Sequence, residues 1–393
     1  MLIVALAGKP NSGKSTFFKA ATLSDVGIAN YPFTTIEPNH GVAYVRSKCP
    51  CIEKENRCGN DQCIEGKRYI PIELIDVAGL VPKAHQGRGL GNRFLDELMN
   101  ANAIINIIDS SGGTNEEGEV VAIGTYDPIE ESKFIKEEID LWLAGVIERK
   151  WDSIERLSRS PNFKIEKSVA DILSGLGIKY QDILTCLKKI EYPKMPNEWS
   201  EVDREKLARE IRKISKPTIL VANKIDLAPA DNIERLKSIE NDISLVAAEY
   251  ELILRKGREK NIISYDPGDS NFKVTNGLTE KQKNGLVLIE KMMEDYGGTG
   301  VQQALNMLIY DIMDKITVFP VENETHWTDA KENMLPDAYL MSRGSTPKDL
   351  AYEVHTEIGD GYIYAIDARS NRRISENYEL KEGDVIKIVS SAK

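Results

Sequence analysis

The 393-residue chain is expected to fold as an α/β protein on a predominantly parallel sheet, with an inserted helical domain and a smaller C-terminal module. Three observations carry that expectation. A short, continuous apolar run at 2–7 and mostly apolar runs at 69–75, 103–108 and 217–222 read as buried strands. Between 127 and 216 the apolar spacing changes to steps of three and four, the period of amphipathic helices. From Ile316 strand character returns around one well-marked helix start.

The first element is followed by the most informative stretch. After the apolar run, Gly8 to Ser15 reads GKPNSGKS and fits G-x-x-x-x-G-K-[ST], and Thr16 to Ala20 continues without a breaker as a helix. Strand, glycine loop and helix in that order make a P-loop. Gly8 and Gly13 permit backbone geometry in which the N–H groups of the loop, Pro10 excepted, turn inward toward phosphate oxygens. Pro10, Asn11, Ser12 and Thr16 complete the phosphate-facing set. The helix N-terminus adds its positive dipole end. Lys14 can reach the β- and γ-phosphates, and the Ser15 hydroxyl can ligate Mg²⁺.

Composition bounds the rest. A chain of this length holds two to four domains, and 41% hydrophobic with 29% charged residues is ordinary for globular proteins. No apolar run approaches the roughly 20 residues needed to span a bilayer, so no membrane association is expected. Because the P-loop strand opens the chain, no cleavable leader is read there, and cytoplasmic residence is expected. A net charge of −11 argues against a generic nucleic-acid surface.

Beyond the first helix, residues 30–39 (NYPFTTIEPN) form an irregular loop before the strand at 41–45. Thr34 and Thr35 both have the hydroxyl needed to sense Mg²⁺ and a γ-phosphate. Next, Cys49, Cys51, Cys58 and Cys63 concentrate four of the chain's five thiols in fifteen residues. Their spacing matches no standard zinc finger, which leaves a tetrahedral zinc site and a redox-inert loop both open. The strand at 69–75 delivers Asp76-Val77-Ala78-Gly79, a D-x-x-G in which Asp76 can hold a Mg²⁺-bound water and the Gly79 N–H can meet the γ-phosphate. The loop after it carries His85 and three glycines at 87, 89 and 91.

Residues 127–216 hold 18 basic and 18 acidic residues. Their apolar positions (Ile135, Ile139, Trp142, Val146, Ile154 and Leu157, then Val169, Leu173, Leu176, Tyr180, Leu184 and Leu187) predict a self-packed helical hairpin or bundle. The strand at 217–222 then delivers Asn223-Lys224-Ile225-Asp226. N-K-x-D after a strand is a guanine reader: the Asp carboxylate accepts from N1–H and the N2 amino group, which adenine does not offer there. Ala247, past the strand at 243–245, is placed to aim a backbone N–H at the guanine carbonyl. Residues 262–312 read as a Gly/Asp/Asn-rich connection with a helix near 300–314. The last 78 residues, with 9 basic and 14 acidic side chains, read β-β-α-β-β, Thr346 and Pro347 opening the helix.

These motifs together resemble the Obg-related, YchF-type P-loop GTPases in an archaeal-looking form. The resemblance rests on residues 8–15, 31–39, Asp76 to Leu80 with His85 and 87–91, and the C-terminal module, and it covers essentially the whole chain. It implies a G domain at 1–126 and 217–312, a coiled-coil-like insertion at 127–216 and a ubiquitin-like β-grasp TGS domain at 316–393. It also implies Thr35 as the Mg²⁺-sensing threonine, and ribosome or translation-factor association. The best-known members carry N-x-x-E and prefer ATP, whereas Asp226 predicts GTP here. Leu80 stands where Ras-like enzymes orient water with Gln, so slow hydrolysis is expected, with His85 the nearest group that could help. By a second resemblance, Asn11 is a candidate ligand for a K⁺ ion beside the phosphates. An ATP-preferring enzyme and a nucleotide-gated binding module with negligible catalysis are the alternatives.

Overall fold

The computed structural model describes residues 1–23, 39–55, 57–77, 79, 91–239 and 242–391. Thr34, Thr35, Leu80 and His85 lie outside them. In chain order the first half runs β1 (Ile3–Ala7), α1 (Lys14–Thr22), β2 (His40–Lys48), β3 (Cys63–Ile64), β4 (Lys67–Asp76), α2 (Gly91–Asn100) and β5 (Ala103–Asp109). Four helices follow, α3 (Pro128–Leu157), α4 (Ile165–Leu173), α5 (Tyr180–Leu187) and α6 (Glu201–Ser215). Then come β6 (Thr218–Asn223), α7 (Ala230–Ile239), β7 (Ile243–Val246) and α8 (Ala248–Glu259). A small ribbon, β8 (Ile263–Ser264) with β9 (Lys273–Val274), precedes α9 (Glu280–Tyr296) and α10 (Val301–Asn306). The chain closes with β10 (Lys315–Val321), β11 (Tyr339–Ser342), α11 (Pro347–Val354), α12 (Thr356–Asp360), β12 (Tyr362–Asp367), β13 (Arg372–Ile374) and β14 (Val385–Ser390).

Two compact units are present. Among the described residues one takes in 1–23, 39–42 and the chain from Glu73 to Ala304, the other 43–72 and the chain from Leu305 onward. Residues 43–72, read from sequence as part of the nucleotide-binding domain, thus pack with the C-terminal module.

The larger sheet has the strand order β2-β4-β1-β5-β6-β7, and β4, β1, β5, β6 and β7 are mutually parallel. Every residue of β5 is buried, which is why its sequence shows no alternation. Register positions the site: Leu6 pairs with Asp76 and with Ile105, Asp109 with Asn223, and Asn223 with Val246. The polar residues that end β4, β5 and β6 (Asp76, Asp109 and Asn223) therefore gather on one edge beside the loop that follows β1, where open α/β sheets bind ligands.

The insertion is a self-packed bundle. Asp127 caps α3 by accepting from the Ile129 N–H at 3.0 Å, with Pro128 in the first turn. Ile135, Ile139, Trp142, Leu143, Ile147, Trp151 and Ile154 form the buried stripe of α3, joined by Val169, Leu173, Ile183, Leu207 and Ile211. Full burial of each such side chain contributes about 1.5–3 kcal/mol. Two expectations change. Leu157 is exposed at the end of α3, and Tyr180 is exposed because Gly175 and Gly177 (φ +70) break the second run into α4 and α5. Between 262 and 300 there is also a helix the sequence reading omitted, α9, which carries a capping box from Thr279 to Gln282 and ends at Gly297 (φ +76).

The second unit contains a five-stranded mixed sheet, order β11-β10-β14-β12-β13. β10 and β14 are parallel, while the β10–β11 and β12–β14 pairs are antiparallel. Leu350 of α11 packs with Ile316, Val318, Met341, Ala365 and Ile386. This is the β-grasp arrangement, and Thr346 caps α11 as expected.

Candidate functional site

The P-loop is shaped by its two glycines. Gly8 has φ +152, and a Cβ there would lie 2.2 Å from the Ile107 carbonyl oxygen. Gly13 has φ +97 and stands so close to Asn223 that a Cβ would meet its Nδ2 at 2.1 Å. Asn223 fastens the loop by donating from Nδ2 to the Ser12 carbonyl at 3.0 Å. Its Oδ1 accepts from the Ala248 N–H at 3.2 Å, so one side chain links β6, the P-loop and the start of α8. Lys224, with φ +64, donates to the Asn11 carbonyl and to Asp109 Oδ2, both at 2.7 Å.

Lys14 is buried at the head of α1, and its Nζ donates to the Lys9 carbonyl at 2.8 Å. Burial holds its pKa below the ordinary lysine value, and the charges of Asp76 and Glu131 work against that shift. The Ser15 hydroxyl donates to Asp76 Oδ2 at 2.8 Å. A hydroxyl and a carboxylate oxygen in contact are a donor set suited to a hard, oxygen-seeking cation such as Mg²⁺. Gly79 is seated against Pro10: a Cβ there would lie 2.9 Å from the proline ring. Asn11, itself at φ +60, donates from Nδ2 to the Gly118 carbonyl at 2.9 Å. Asp226 is half-buried just past β6. Burial pushes its carboxyl above the usual range, helped by Glu249. Partly desolvated, that acceptor gains most from donors that replace lost water.

One expectation is corrected. The Ala247 N–H is donated to the Thr299 carbonyl at 2.9 Å, so it has no capacity for a base oxygen. Thr299 can approach because Gly300, φ +87, passes against the backbone of Leu245 and Val246, where a Cβ would lie 1.9 Å from the Leu245 carbonyl oxygen. The Thr299 hydroxyl in turn donates to buried Glu251, which also accepts from Tyr265 at 2.7 Å and Arg255 at 2.8 Å.

Three further residues support the loop and were not singled out from sequence. Asp109, fully buried, accepts from Ser111, Thr114 and Lys224. Lys9 forms an ion pair at 3.0 Å with Glu131 in the first turn of α3, both only 2% exposed, and donates to the Asn115 carbonyl at 2.7 Å. The insertion thus grips the P-loop directly. A lysine at an unspecified P-loop position gives no hint of that in the sequence.

Burial raises the Glu131 carboxyl from 4.5 to about 7. A proton held more tightly in the folded state stabilises it fully below about 4.5, and the contribution is lost as pH rises through about 7. Glu131→Gln removes this dependence. The wild-type thermal midpoint is expected to fall relative to the variant's between pH 5 and pH 8, and a difference constant over that range would contradict the assignment.

A GTP-binding protein of Methanocaldococcus jannaschii is 45% identical over 398 aligned residues, the full length of both chains. The chain belongs to the YchF/Obg-like family of P-loop GTP-binding proteins. The family models agree by segment: "50S ribosome-binding GTPase" matches 3–139, "Obg-like GTPase YGR210-like, G4 motif-containing domain" 221–323, and "TGS domain" 331–390. The crystal structure of a GTP-binding protein from Pyrococcus horikoshii superposes with a TM-score of 0.80 at 35% identity, covering 99% of this chain and 100% of that one. The ribosome-binding ATPase YchF of Bacillus subtilis is 29% identical over 68% of this chain and 71% of its own. This member of the YchF/Obg-like family accordingly has a P-loop G domain with a mostly parallel sheet, a helical insertion and a C-terminal TGS domain. No described helix is long and apolar enough to cross a membrane.

Proposed function

We propose that this chain is a Mg²⁺-dependent GTP-binding switch with slow intrinsic hydrolysis, working in the cytoplasm on the ribosome or a translation factor. The observation that carries the guanine reading is Asp226. Asp226 stands two positions after Lys224, which with Asn223 holds Asn11 and Ser12 of the P-loop, so base and phosphates would be read by one connected unit. The ATPase names of some relatives raise the ATP alternative, and the acidic acceptor at 226 speaks against it. Ribosome association is supported by the name of the Bacillus subtilis relative and by the family description matched at 3–139.

In this reading the amides of Gly8, Asn11, Ser12, Gly13 and Thr16, with Pro10 shaping the loop, cradle the phosphates. Lys14 moves from the Lys9 carbonyl to the β- and γ-oxygens. Ser15 and Thr35 would ligate Mg²⁺, Asp76 would hold one of its waters, and the Gly79 N–H would meet the γ-phosphate. By chain order the proposed G domain is 1–126 and 217–312, the insertion 127–216 and the TGS domain 316–393, with 43–72 and 305–312 packing in the C-terminal unit. Leu80 has no group to orient water, which leaves His85 as the nearest helper and predicts turnover on the order of 10⁻⁴ to 10⁻² per second without a partner. The oxygen end of the Asn11 carboxamide would meet a K⁺ ion serving as fixed positive charge at the phosphates.

Turnover measured in KCl and in NaCl, combined with ribosome co-sedimentation in GTP analogue and in GDP, tests the proposal. Faster hydrolysis in KCl and pelleting that depends on the nucleotide are expected. Equal rates in the two salts would remove the K⁺ role, and pelleting indifferent to nucleotide would remove the switch. Pelleting that depends on nucleotide without measurable turnover would instead favour a gated binding module.

A further inference from the structure

We propose that Cys49, Cys51, Cys58 and Cys63 form a structural zinc site that fixes the segment between β2 and β4 onto the C-terminal module. The four sulfurs all lie within 4.8 Å of one another. Cys49 and Cys58 are 4.0 Å apart, Cys51 and Cys63 3.8 Å, and no pair is bonded. A disulfide needs about 2.0 Å. Four thiolates around Zn²⁺ at about 2.3 Å have sulfur–sulfur edges of about 3.8 Å. The cluster thus has tetrahedral size.

Local chain geometry builds it from two halves. Cys49 and Cys51 flank the start of a 3₁₀ turn at Pro50–Glu53. Cys58 and Cys63 bracket a turn in which Gly59 takes φ +63 and the Cys63 N–H donates to the Asn60 carbonyl at 2.8 Å. Gly66, φ +85, closes the β3–β4 hairpin, and its carbonyl accepts from the Cys49 N–H at 2.8 Å, joining the halves. The Cys51 and Asn60 N–H groups are directed at the Cys49 and Cys58 sulfurs, as ligand knuckles require.

The surroundings supply a second, independent argument. Phe319, Val321, Trp327, Leu335, Ala368 and Val385 pack with buried Cys49 and Cys51, while Cys58 and Cys63 close the outer, partly exposed side of the cluster. Beside them sits Arg68, 0% exposed and in register opposite Cys63 across the hairpin. Its Nη2 donates to the Leu335 and Pro336 carbonyls at 2.7 and 3.0 Å, while Nε and Nη1 have no hydrogen-bond partner. A buried guanidinium requires an anion. Asp337 is a carboxylate on which the Arg68 charge acts, and a tetrathiolate zinc centre, at −2, would add anionic charge beside the hairpin position opposite Cys63. Asn60, held within the Cys58–Cys63 turn, also donates to the Pro336 carbonyl at 2.9 Å. Metal binding would therefore set how this turn grips residues 335–336. Soft thiolates alone select zinc over the oxygen-seeking cations of the nucleotide site. On binding, the thiols give up their protons to solvent and no electron transfer is involved.

Elemental mass spectrometry of the full-length protein, purified without chelator, tests this, with about one zinc per chain expected. A Cys58→Ser/Cys63→Ser variant should lose the metal. GTP titration of that variant reports separately whether the first unit has folded. If the variant does not fold, cobalt substitution of the wild-type chain decides, because a tetrahedral thiolate spectrum is expected and an octahedral one overturns the site. Arg68→Met should lower zinc affinity about 10- to 100-fold in chelator competition, as loss of an outer-sphere partner does. Wild-type protein with no metal and four freely titrating thiols, one iron per chain, or disulfides after anaerobic purification would each overturn the proposal.

Discussion

Gly13→Ala is expected to abolish binding of any nucleotide, lowering GTP affinity more than about 100-fold. Two effects combine. At φ +97 a side chain is strained by about 1–3 kcal/mol. The new Cβ would also lie 2.1 Å from Asn223 Nδ2, an atom that cannot retreat without leaving the Ser12 carbonyl. Moving it also disturbs the contact from the Ala248 N–H, and each buried polar group left unsatisfied costs about 1–3 kcal/mol. The damage therefore reaches the phosphate loop and the base side together. Gly285→Ala, on α9 with nothing within 4 Å, is the control and should leave binding unchanged. Calorimetric titration checks both, and GTP affinity within threefold of wild type in Gly13→Ala would refute the argument.

Asp226→Asn is expected to lower GTP affinity about 5- to 150-fold while leaving ATP affinity nearly unchanged. The range follows from about 1–3 kcal/mol for one bidentate base contact. An amide keeps one acceptor but turns a donor toward the guanine N1–H or N2 amino group. The same donor suits the C2 carbonyl of xanthine, so xanthosine triphosphate should gain on the variant. Asp226 is half-buried, with its carboxyl pushed up by desolvation, so the near-isosteric change should not unfold the loop. Titrations with the three triphosphates separate the possibilities. Equal losses for GTP and ATP would mean that Asp226 supports structure and does not read the base.

Much of this molecule was legible because its signals are local. The buried strands are mostly apolar runs, and their C-terminal ends carry the GKS, D-x-x-G and N-K-x-D residues that register brings to one edge. The Asp127 cap and the stripe of α3 follow the helical period, and Thr346 with Pro347 marks α11. The α9 helix escapes a periodicity reading despite its Thr279–Gln282 box, because exposed Val287 and Leu288 fill the gap between Leu286 and Ile289 and blur the helical spacing. Ala247 was misread for a different reason. Which backbone group its N–H meets depends on Thr299, 52 positions away, and on the close approach that Gly300 allows.

By itself the sequence determined the P-loop and the family the chain belongs to, and it supplied the residues on which the proposed Mg²⁺ and guanine readings rest. Those features are written in residue type and short spacing, and the phosphate and the base edge constrain both. Only the tertiary structure decided what holds those residues in place. The Lys9–Glu131 pair, Asp109 beneath Lys224 and the Thr299 carbonyl on Ala247 are all long-range contacts. It also decided that four cysteines with no standard spacing close to tetrahedral size, because residues 319–385 pack against Cys49 and Cys51 and Arg68 lies opposite Cys63. Spacing along the chain fixes only which groups can reach one another, while packing fixes which of them meet.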